Sequence, residues 1–378
     1  MDGSKFNRRE FHLKFLCERS EMLKILTNVS RSVSSKSNIP ALEGIHVTVI
    51  GSTAYFEGFN MEYGIKSSME VQSAEEGSIV VPAKLFTEIV KKLPDSIVSF
   101  SSEGSNVSLN CLESNFTISA IPAAEFPELP SIGDETEILI PSNTIRDMIR
   151  QTIFSVADSG DNSIHSGELW EINDGVLTVV AVDGFRMSIR KEKVNVGGNF
   201  KVVIPGKALS EVMRLLPSED VDIKIYLSER YVFFELGSYL FLSRLIEGDY
   251  IDYQSAIPTE YTTRLKLNVK AAIASLERVS VLIDDRLQTP VKAIFEPPNC
   301  LKFSCSTSLG CSSDEIESEI SGEILEIAFN DKYFLDVLKN CDSDEVVVEL
   351  TSALRPIKIT PVSGDSFVFI VLPVRMKD

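Results

Sequence analysis

Basic side chains recur at matched positions in three segments of a chain that is acidic as a whole. Three pairs share a spacing of seven residues, and they are Lys84 and Lys91, Lys207 and Arg214, and Lys332 and Lys339. Seven residues are close to two turns of an α-helix, so each pair lies on one helical face. Cationic groups held at such positions neutralise phosphate, whereas base reading requires side chains placed on base edges. The spacing therefore predicts sequence-independent contact with a phosphate backbone.

Charge balance limits where such contact can occur. The chain has 37 Lys and Arg against 55 Asp and Glu, and its formal net charge is −18. A surface this acidic repels nucleic acid, so the basic residues must be segregated on one face. The complete candidate set for nucleic-acid contact is Lys24, Lys36, Lys84, Lys91, Arg146, Arg150, Lys207, Arg214, Arg286, Lys332 and Lys339. The alternative is an ordinary solvated helix face, which fits any single segment but is disfavoured by the threefold recurrence.

A long internal repeat organises the chain. The segment VVPAKLFTEIVKKLP begins at Val80, VIPGKALSEVMRLLP begins at Val203, and a fainter copy, AFNDKYFLDVLKNC, begins at Ala328. Pro82 and Pro205 are 123 residues apart, a period that indicates repeated domains rather than a solenoid of small units. Loops of mixed Pro, Gly and acidic residues separate the copies. The predicted domains are 1–132, which includes a short N-terminal extension, 133–258 and 259–378.

Within each copy the apolar periodicity predicts two helices, each followed by a run of strands. In the second copy, Ile145, Met148, Ile149, Ile153 and Val156 form one apolar stripe at helical spacing. The second predicted helix of this copy covers 207–216. Its predicted strands are 176–182, 187–194, 201–204, 221–226, 231–236 and 239–245. Because the turns between strands are short, the sheets should be antiparallel, and the predicted fold class is α+β, with three tandem copies of two helices packed on sheet.

Composition disfavours a membrane-spanning or disulfide-rich protein. The longest uninterrupted apolar stretch, 367–373, is far shorter than the ~18 residues that a membrane span requires. The first ten residues contain no apolar segment typical of a signal peptide, so a cytoplasmic location is expected. Cys300, Cys305 and Cys311 lie close in sequence and leave zinc as an alternative, but no C-x-x-C pair is present. Buried, reduced thiols are the preferred interpretation, and no metal or cofactor is expected.

An enzyme is one alternative function. The sequence contains no P-loop, G-x-S-x-G, H-E-x-x-H or dinucleotide-binding motif. Its three histidines form no recognisable constellation for acid–base catalysis. Asp158, Asp161 and Asp183 could hold a metal, although acidic loops are usually solvated. A repeat scaffold that binds only proteins is the second alternative, and only the spaced basic residues argue against it. A non-catalytic protein is therefore expected.

Four motifs, in order along the repeat, resemble those of a known family. They are AVDGFRM at 181–187, LIEGDYIDY at 245–253, LRPI at 354–357 and FIVLPVRM at 369–376. Each motif alone is weak, but together they make residues 13–376 similar to the bacterial sliding clamp, the beta subunit of the replicative DNA polymerase III. The resemblance implies three clamp domains per chain and a homodimer of two chains that close head to tail into a ring around double-stranded DNA. It also implies a non-catalytic processivity factor in DNA replication.

The same resemblance implies a partner-binding pocket between the second and third domains. Short linear motifs of DNA polymerase III alpha, other polymerases, the clamp loader and repair proteins are expected to dock there. The residues carried over to this pocket are His165, Val182, Gly184, Phe185, Arg186, Met187, Ile251, Ala256, Pro356, Ile370, Val371, Leu372, Pro373, Val374, Arg375 and Met376. An apolar groove with a few polar groups suits an extended peptide with aliphatic or aromatic anchors. Phe185 and Ile251 depart from the usual residues of the family, which bears on specificity.

The expected dimer contact joins a strand edge of the third copy to one of the first. The third copy offers an acidic edge that contains Asp314, Glu315, Glu317 and Glu319. The candidate partner edge, Asn106–Leu112, contains no Lys or Arg. We therefore expect an interface held by strand pairing and apolar contact rather than by ion pairs.

Overall fold

Two compact units make up the fold. The computed structural model describes residues 12–133, 136–158, 164–195, 198–283 and 289–375. The first unit comprises Met1–Ser142 and Ser210–Leu245, and the second comprises Asn143–Leu209 and Ile246–Asp378. Each unit has its own sheets and its own apolar core.

Six α-helices lie within the described residues, two in each copy of the repeat. Their bounds are Arg19–Val29 (α1), Ala83–Lys92 (α2), Ser142–Thr152 (α3), Gly206–Leu215 (α4), Val269–Val279 (α5) and Asp331–Lys339 (α6). The predicted helix 207–216 corresponds to α4 within one residue. Helices α5 and α6 begin at asparagine caps, because Asn268 Oδ1 accepts a hydrogen bond from Ala271 N and Asn330 Oδ1 accepts one from Lys332 N. None of the helices in the described part of the chain is long and apolar enough to cross a membrane.

The described strands of the first unit form two antiparallel sheets. The five-stranded sheet consists, in spatial order, of β5 (Gln72–Glu75), β1 (Lys14–Glu18), β7 (Ile97–Glu103), β8 (Asn106–Cys111) and β9 (Ser114–Ser119). The nine-stranded sheet consists of β10 (Ile121–Pro122), β6 (Gly77–Pro82), β2 (Gly44–Ile50), β3 (Thr53–Phe59), β4 (Tyr63–Glu70), β18 (Tyr239–Arg244), β17 (Tyr231–Leu236), β16 (Asp222–Leu227) and β11 (Thr136–Pro141).

The described strands of the second unit also form two antiparallel sheets. The nine-stranded sheet consists of β15 (Phe200–Pro205), β12 (Gly167–Asn173), β13 (Val176–Val182), β14 (Arg186–Lys193), β27 (Phe367–Val371), β26 (Ile357–Pro361), β25 (Glu345–Leu350), β19 (Thr263–Asn268) and β23 (Glu319–Gly322). The four-stranded sheet consists of β22 (Gly310–Glu317), β21 (Cys300–Thr307), β20 (Val291–Glu296) and β24 (Leu325–Phe329). The predicted antiparallel α+β fold is confirmed.

Consecutive copies of the repeat share a sheet within each unit. In the first unit, β4 of the first copy pairs with β18 of the second copy, with Tyr63 opposite Ser243. In the second unit, β14 of the second copy pairs with β27 of the third copy, with Met187 opposite Ile370. Backbone hydrogen bonds therefore join neighbouring copies of the repeat. The limits of the two compact units differ from those of the repeat, because the second copy contributes residues to both units. The predicted domain limits near 132 and 258 stay predictions.

Aromatic clusters fill the cores. In the first unit, Phe15 stacks on Phe100 with ring centroids 4.9 Å apart, and both side chains are fully buried. In the second unit, Phe329 stacks on Phe334 at 4.7 Å beneath α6. Burying one such ring stabilises the fold by about 1.5–3 kcal/mol. The same apolar positions that gave the helical and strand periodicities are thus the positions that hold helices on sheets.

Candidate functional sites

The helices place most of the predicted basic residues at the surface. Each pair spaced by seven lies within a single helix, on α2, α4 and α6. The exposed members of the set are Lys24, Lys36, Lys84, Lys91, Lys207, Arg214, Lys332 and Lys339. Arg146 and Arg150 on α3 are only partly exposed, and Arg286 lies outside the described residues. The helical context of the pairs is confirmed, whereas contact with DNA stays a prediction.

Several of these basic residues are already paired with carboxylates inside their own unit. Arg214 pairs with Glu211, Lys339 Nζ lies 2.8 Å from Glu277 Oε1, and Lys91 Nζ lies 3.9 Å from Glu88 Oε1. These three cations, Lys91, Arg214 and Lys339, are the paired cations. Because a neighbouring carboxylate offsets each of them, they attract a phosphate less than a free cation does.

Arg150 is bound more extensively. It pairs with Asp342 and Asp147 and donates from Nη1 to the carbonyl oxygen of Asn340 at 3.4 Å. The pKa of the Arg150 guanidinium is raised, because its hydrogen bonds and charge attraction to Asp342 outweigh the effect of burial. Arg150 therefore fastens α3 to the segment that follows α6, and few of its donors remain for another ligand.

Four other lysines have no such partner. Among the described residues, no carboxylate forms an ion pair with Lys24, Lys36, Lys84 or Lys207. These residues are the unpaired lysines, and all four are exposed. An exposed ammonium without a carboxylate neighbour keeps its full charge for an external anion. The structure thus divides the predicted set into two groups that the sequence did not distinguish.

A cavity of about 600 Å³ opens on the nine-stranded sheet of the second unit. Its lining consists of Val182, Gly184, Arg186, Met187, Ile251, Ser255, Ala256, Ile257, Pro258, Thr259, Glu260, Thr351, Arg355, Pro356, Ile370 and Leu372. We call it the sheet cavity. Most of the lining residues are apolar, and the polar ones are Arg186, Ser255, Thr259, Glu260, Thr351 and Arg355. Cavities of this size and composition are typical of binding sites for small molecules and short peptides.

Strand pairing places the apolar wall of the sheet cavity. Val182 lies opposite Met187 in the β13–β14 pair, and Met187 lies opposite Ile370 in the β14–β27 pair. Residues directly opposite each other project to the same face of a sheet. Val182, Met187 and Ile370 therefore form a row across three adjacent strands, and this row forms one side of the cavity.

The turn between β13 and β14 is held by Asp183. Its Oδ1 accepts hydrogen bonds from the backbone N–H groups of Phe185 and Arg186, both at 2.9 Å. Gly184 has φ = +87°, a conformation that costs glycine little and disfavours other residues. The short turn expected between these two strands is thus built on Asp183 and Gly184, and it brings Gly184 to the cavity lining.

The segment after β18 closes the opposite side. Tyr253 donates a hydrogen bond from its hydroxyl to Glu171 Oε2 at 2.8 Å, which fastens this segment to β12. The hydroxyl of Ser255 donates to the carbonyl oxygen of Asp252, and Thr351 Oγ1 donates to the carbonyl oxygen of Glu260, both at 2.8 Å. These bonds hold an irregular segment in one conformation, so the cavity wall is formed without a ligand.

Nine of the predicted pocket residues line the sheet cavity. They are Val182, Gly184, Arg186, Met187, Ile251, Ala256, Pro356, Ile370 and Leu372. Sequence reasoning missed seven lining residues, which are Ser255, Ile257, Pro258, Thr259, Glu260, Thr351 and Arg355. A signal was available for Arg355, since it belongs to the LRPI motif, and for the stretch 255–260, since it follows directly on the LIEGDYIDY motif.

The structure places the other predicted pocket residues elsewhere. Val371 is fully buried, because it alternates with Ile370 along β27 and projects to the opposite face. Phe185 is exposed and stacks on Tyr333 with centroids 5.9 Å apart. His165 lies edge-on to Tyr250 at 5.3 Å and is absent from the cavity lining, as is Pro373. Val374 and Arg375 line a separate cavity beside Pro290 and Cys311, and Met376 lies outside the described residues.

Two of the edge strands in the described sheets, β9 and β22, bear on the predicted dimer contact. In the five-stranded sheet of the first unit, β9 is an edge strand, whereas β8 is paired on both sides, with β7 and with β9. The prediction that Asn106–Leu112 forms the edge is therefore wrong, because the following hairpin adds one more strand. In the four-stranded sheet of the second unit, β22 is an edge strand. It carries Asp314, Glu315 and Glu317 of the predicted acidic edge, whereas Glu319 lies on β23 in the nine-stranded sheet.

The cysteines are all free thiols among the described residues. No group of three or more His, Cys, Asp and Glu side chains in the described ranges is arranged to hold a metal ion. Burial raises the pKa of the Cys17 and Cys341 thiols, in both cases to about 12, so these thiols are protonated at neutral pH.

Known proteins are similar to this chain over nearly all of its length. Three profiles of the DNA polymerase III beta subunit match in order, the N-terminal domain at residues 13–130, the central domain at 139–252 and the C-terminal domain at 254–375. The beta sliding clamp of Bacillus subtilis is 32% identical over 96% of this chain and 100% of its own length. A crystal structure of the B. subtilis sliding clamp matches with a TM-score of 0.94 at 31% identity, covering 97% of this chain and all of that one.

A further solved relative carries a ligand. The DNA polymerase III subunit beta sliding clamp of Pseudomonas aeruginosa, solved bound to griselimycin, matches with a TM-score of 0.91 at 25% identity over 96% of this chain and all of that one. The predicted organisation as three tandem clamp domains is confirmed by the three profiles. The chain therefore belongs to the DNA polymerase III beta subunit family, the beta sliding clamps.

Proposed function

We propose that two copies of this chain close head to tail into a ring around duplex DNA and that the sheet cavity binds short linear motifs of partner proteins. Membership of the family makes the chain a sliding clamp, a non-catalytic processivity subunit. The observation that carries the proposal is the apolar, preformed sheet cavity within a chain of three clamp domains. The proposed partners are replicative and other polymerases, the clamp loader and repair proteins, and the proposed place of work is the cytoplasm.

Ring closure is supported by the two edge strands. An exposed edge strand presents unpaired backbone N–H and C=O groups that readily pair with another chain. Phe116 on β9 is exposed, and Val281 and Leu309, near the start of β22, are each 77% exposed. Pairing of β9 of one chain with β22 of another would satisfy both edges and cover these apolar side chains. When β9 of one chain has paired with β22 of the other, one β9 edge and one β22 edge remain unpaired. Pairing of these two edges forms a second, equivalent contact and closes the ring.

Electron microscopy of the purified protein tests the ring directly. We expect class averages of a closed ring built from two three-domain chains. A population of curved, open particles at micromolar concentration would contradict ring closure by the chain alone. It would leave the sheet cavity as a protein-binding site on an open chain.

The dimer is expected to depend on apolar contact and hardly on the acidic edge. Replacing both Val281 and Leu309 by aspartate should weaken dimerisation by about 100-fold or more, since each buried aliphatic side chain contributes about 1.5–3 kcal/mol. Analytical ultracentrifugation over a range of concentrations measures the dissociation constant.

The matched control replaces Glu315 and Glu317 by glutamine. Glu315 Oε1 already pairs with Lys302 Nζ at 2.9 Å within the chain, so its charge is not needed by a partner. The dimer of this variant should be nearly as tight as that of the unchanged protein. Strong weakening would show that ion pairs hold the interface and would overturn this part of the proposal.

Contact with DNA is proposed to come mainly from the unpaired lysines. Replacing Lys24, Lys84 and Lys207 together by glutamine is expected to lower the slope of log affinity against log salt concentration by about 3, since each phosphate contact contributes about 0.9. Fluorescence anisotropy of a labelled duplex, titrated at several salt concentrations, measures this slope.

The matched control replaces the paired cations by glutamine and removes the same formal charge. Because carboxylates already offset these cations, the slope should change by less than half as much. Equal losses in the two variants would contradict the division into paired and unpaired residues. If neither variant changes the slope, the helices do not contact DNA, and a protein-binding scaffold becomes the better interpretation.

A further inference from the structure

Arg186 stands at the start of β14 with its side chain on the face opposite Met187. Strand alternation directs the Arg186 side chain toward α6, and the residue also lines the sheet cavity beside Met187. The Arg186 side chain is only 12% exposed. Its Nε donates to Asp183 Oδ2 at 2.8 Å, and its Nη1 donates to Asp336 Oδ2 at 2.5 Å. Arg186 is therefore held at two points, one within its own turn and one on α6.

Aromatic rings flank the same guanidinium. Its central carbon lies 4.6 Å from the ring centroid of Tyr333 and 5.4 Å from that of Phe154. Tyr333 and Asp336 are three residues apart on α6 and share one helical face. Tyr333 also stacks on Phe185, the residue before Arg186. One face of α6 thus contacts two consecutive residues at the turn that borders the sheet cavity.

Asp183 and Asp336 both pair with Arg186, but only Asp336 links it to helix α6. Asp183 belongs to the turn and moves with it, because its Oδ1 accepts the N–H groups of Phe185 and Arg186. Among the described residues, Asp336 is the one carboxylate outside this hairpin that forms an ion pair with Arg186. Without it, a poorly exposed guanidinium would lose its charged link to α6, and the turn could shift relative to the helix.

We infer that Asp336 of α6 is a positioning residue for the sheet cavity, which acts by holding the lining residue Arg186 so that Arg186, Gly184 and Met187 keep the cavity wall in its binding shape. This inference rests on the proposed function of the cavity. Asp336 is absent from the cavity lining, so its effect on binding is indirect. Helix α6 also carries Lys332 and Lys339, two of the basic residues predicted to contact DNA.

The test compares Asp336→Asn with Asp336→Glu, using griselimycin as the probe in isothermal titration calorimetry. Asp336→Asn should bind about tenfold more weakly, the size of one charge-assisted hydrogen bond. Asp336→Glu keeps the carboxylate and should restore affinity to within about threefold of the unchanged protein. The control Glu277→Gln removes a carboxylate that pairs with Lys339 on the same helix, and it should leave affinity unchanged.

Hydrogen exchange of the segment 183–187 gives a readout that needs no ligand. The amides of Phe185 and Arg186 should exchange faster in Asp336→Asn and at the original rate in Asp336→Glu and Glu277→Gln. Unchanged exchange and unchanged affinity in Asp336→Asn would overturn the inference. Equal losses in Asp336→Asn and Asp336→Glu would also overturn it, since they would indicate a general packing defect. If the unchanged protein fails to bind griselimycin, the proposed use of the cavity fails, and the exchange rates alone decide the positioning role.

Discussion

Replacing Glu168 by glutamine is expected to raise the thermal midpoint of the protein by about 5 °C at pH 7.5 and to give no gain at pH 5. Glu168 lies on β12, is fully buried, and forms no ion pair with any described residue. Its contacts are Thr152 Oγ1 at 2.8 Å and Trp170 Nε1 at 3.2 Å. Burial raises the pKa of Glu168 from its ordinary 4.5 to about 8.

The hydrogen bonds at Glu168 fit a neutral carboxyl group. Thr152 has one hydroxyl proton, and its Oγ1 lies 2.7 Å from the carbonyl oxygen of Met148, which can accept only. If Thr152 donates to Met148, then Glu168 must donate to Thr152, and only a protonated carboxyl group can do so. Trp170 donates to the other carboxyl oxygen. A chain of three hydrogen bonds is thus complete when Glu168 is uncharged.

The sign of the pH effect follows from the raised pKa. Below pH 4.5 the folded and unfolded states both hold the proton, and the hydrogen bonds contribute fully. As pH rises from about 4.5 to about 8, the unfolded chain loses the proton while the folded protein keeps it, so stability is lost. At pH 7.5 this loss lowers the free energy of unfolding of the unchanged protein by about 4 kcal/mol, and Glu168→Gln avoids it. The second N–H of the glutamine amide has no partner, which costs the variant about 1–2 kcal/mol.

Fluorescence of Trp170 follows this transition locally, because it is the one tryptophan of the chain and it contacts Glu168. Melting curves at pH 5, 6, 7 and 8 should show a gap between Glu168→Gln and the unchanged protein that widens as pH rises. Glu247→Gln is the matched control, since Glu247 is exposed and the substitution makes the same change from carboxyl group to amide. A gap that stays constant with pH would show that Glu168 is ionised in the folded protein.

Periodicity was sufficient to predict the elements because helices and strands bury one face each. The strands 176–182 and 231–236 were predicted with the bounds that the structure has, and α4 differed by one residue. These segments alternate or repeat apolar residues over their whole length, so tertiary contacts reinforce the local preference. Because the copies repeat at an offset of about 123 residues, the two helices predicted in the second copy were also predicted in the first and third copies, where the structure has them.

Other features depend on contacts that one sequence does not reveal. Residues 255–260 have no period, and they reach the sheet cavity through contacts such as their hydrogen bonds with Asp252 and Thr351. The strand β9 displaced β8 from the sheet edge because a two-residue connection continued the meander. Glu168 resembled any polar residue in a strand, and its burial follows from the packing of α3 over β12. The pairing of Arg214 with Glu211, by contrast, joins residues three apart on α4, a spacing that helical periodicity does give.

Leu372 offers the sharpest test of the sheet cavity as the binding site. The side chain lines the cavity and is 37% exposed, so it can be changed without opening the core. Its backbone N–H donates to the carbonyl oxygen of Phe185 at 2.8 Å, a bond that any substitution except proline keeps. Leu372→Asp should therefore fold normally and place a carboxylate on an otherwise apolar wall.

We propose griselimycin, the ligand of the P. aeruginosa clamp, as the probe of this cavity, and its affinity for Leu372→Asp is expected to fall by about 100-fold or more, which corresponds to about 2.8 kcal/mol. Loss of one aliphatic contact accounts for about 1.5–3 kcal/mol, and stripping water from the new carboxylate adds to it. Val362→Asp is the control, since Val362 is 47% exposed, lies in the same unit and does not line the cavity. Its affinity should stay within about twofold of the unchanged protein. Full affinity in Leu372→Asp would move the binding site away from the sheet cavity. Equal loss of affinity in both variants would point to a general effect of added negative charge. A carboxylate in the cavity wall blocks binding only at that position, whereas a long-range electrostatic effect would be similar for a carboxylate at either position.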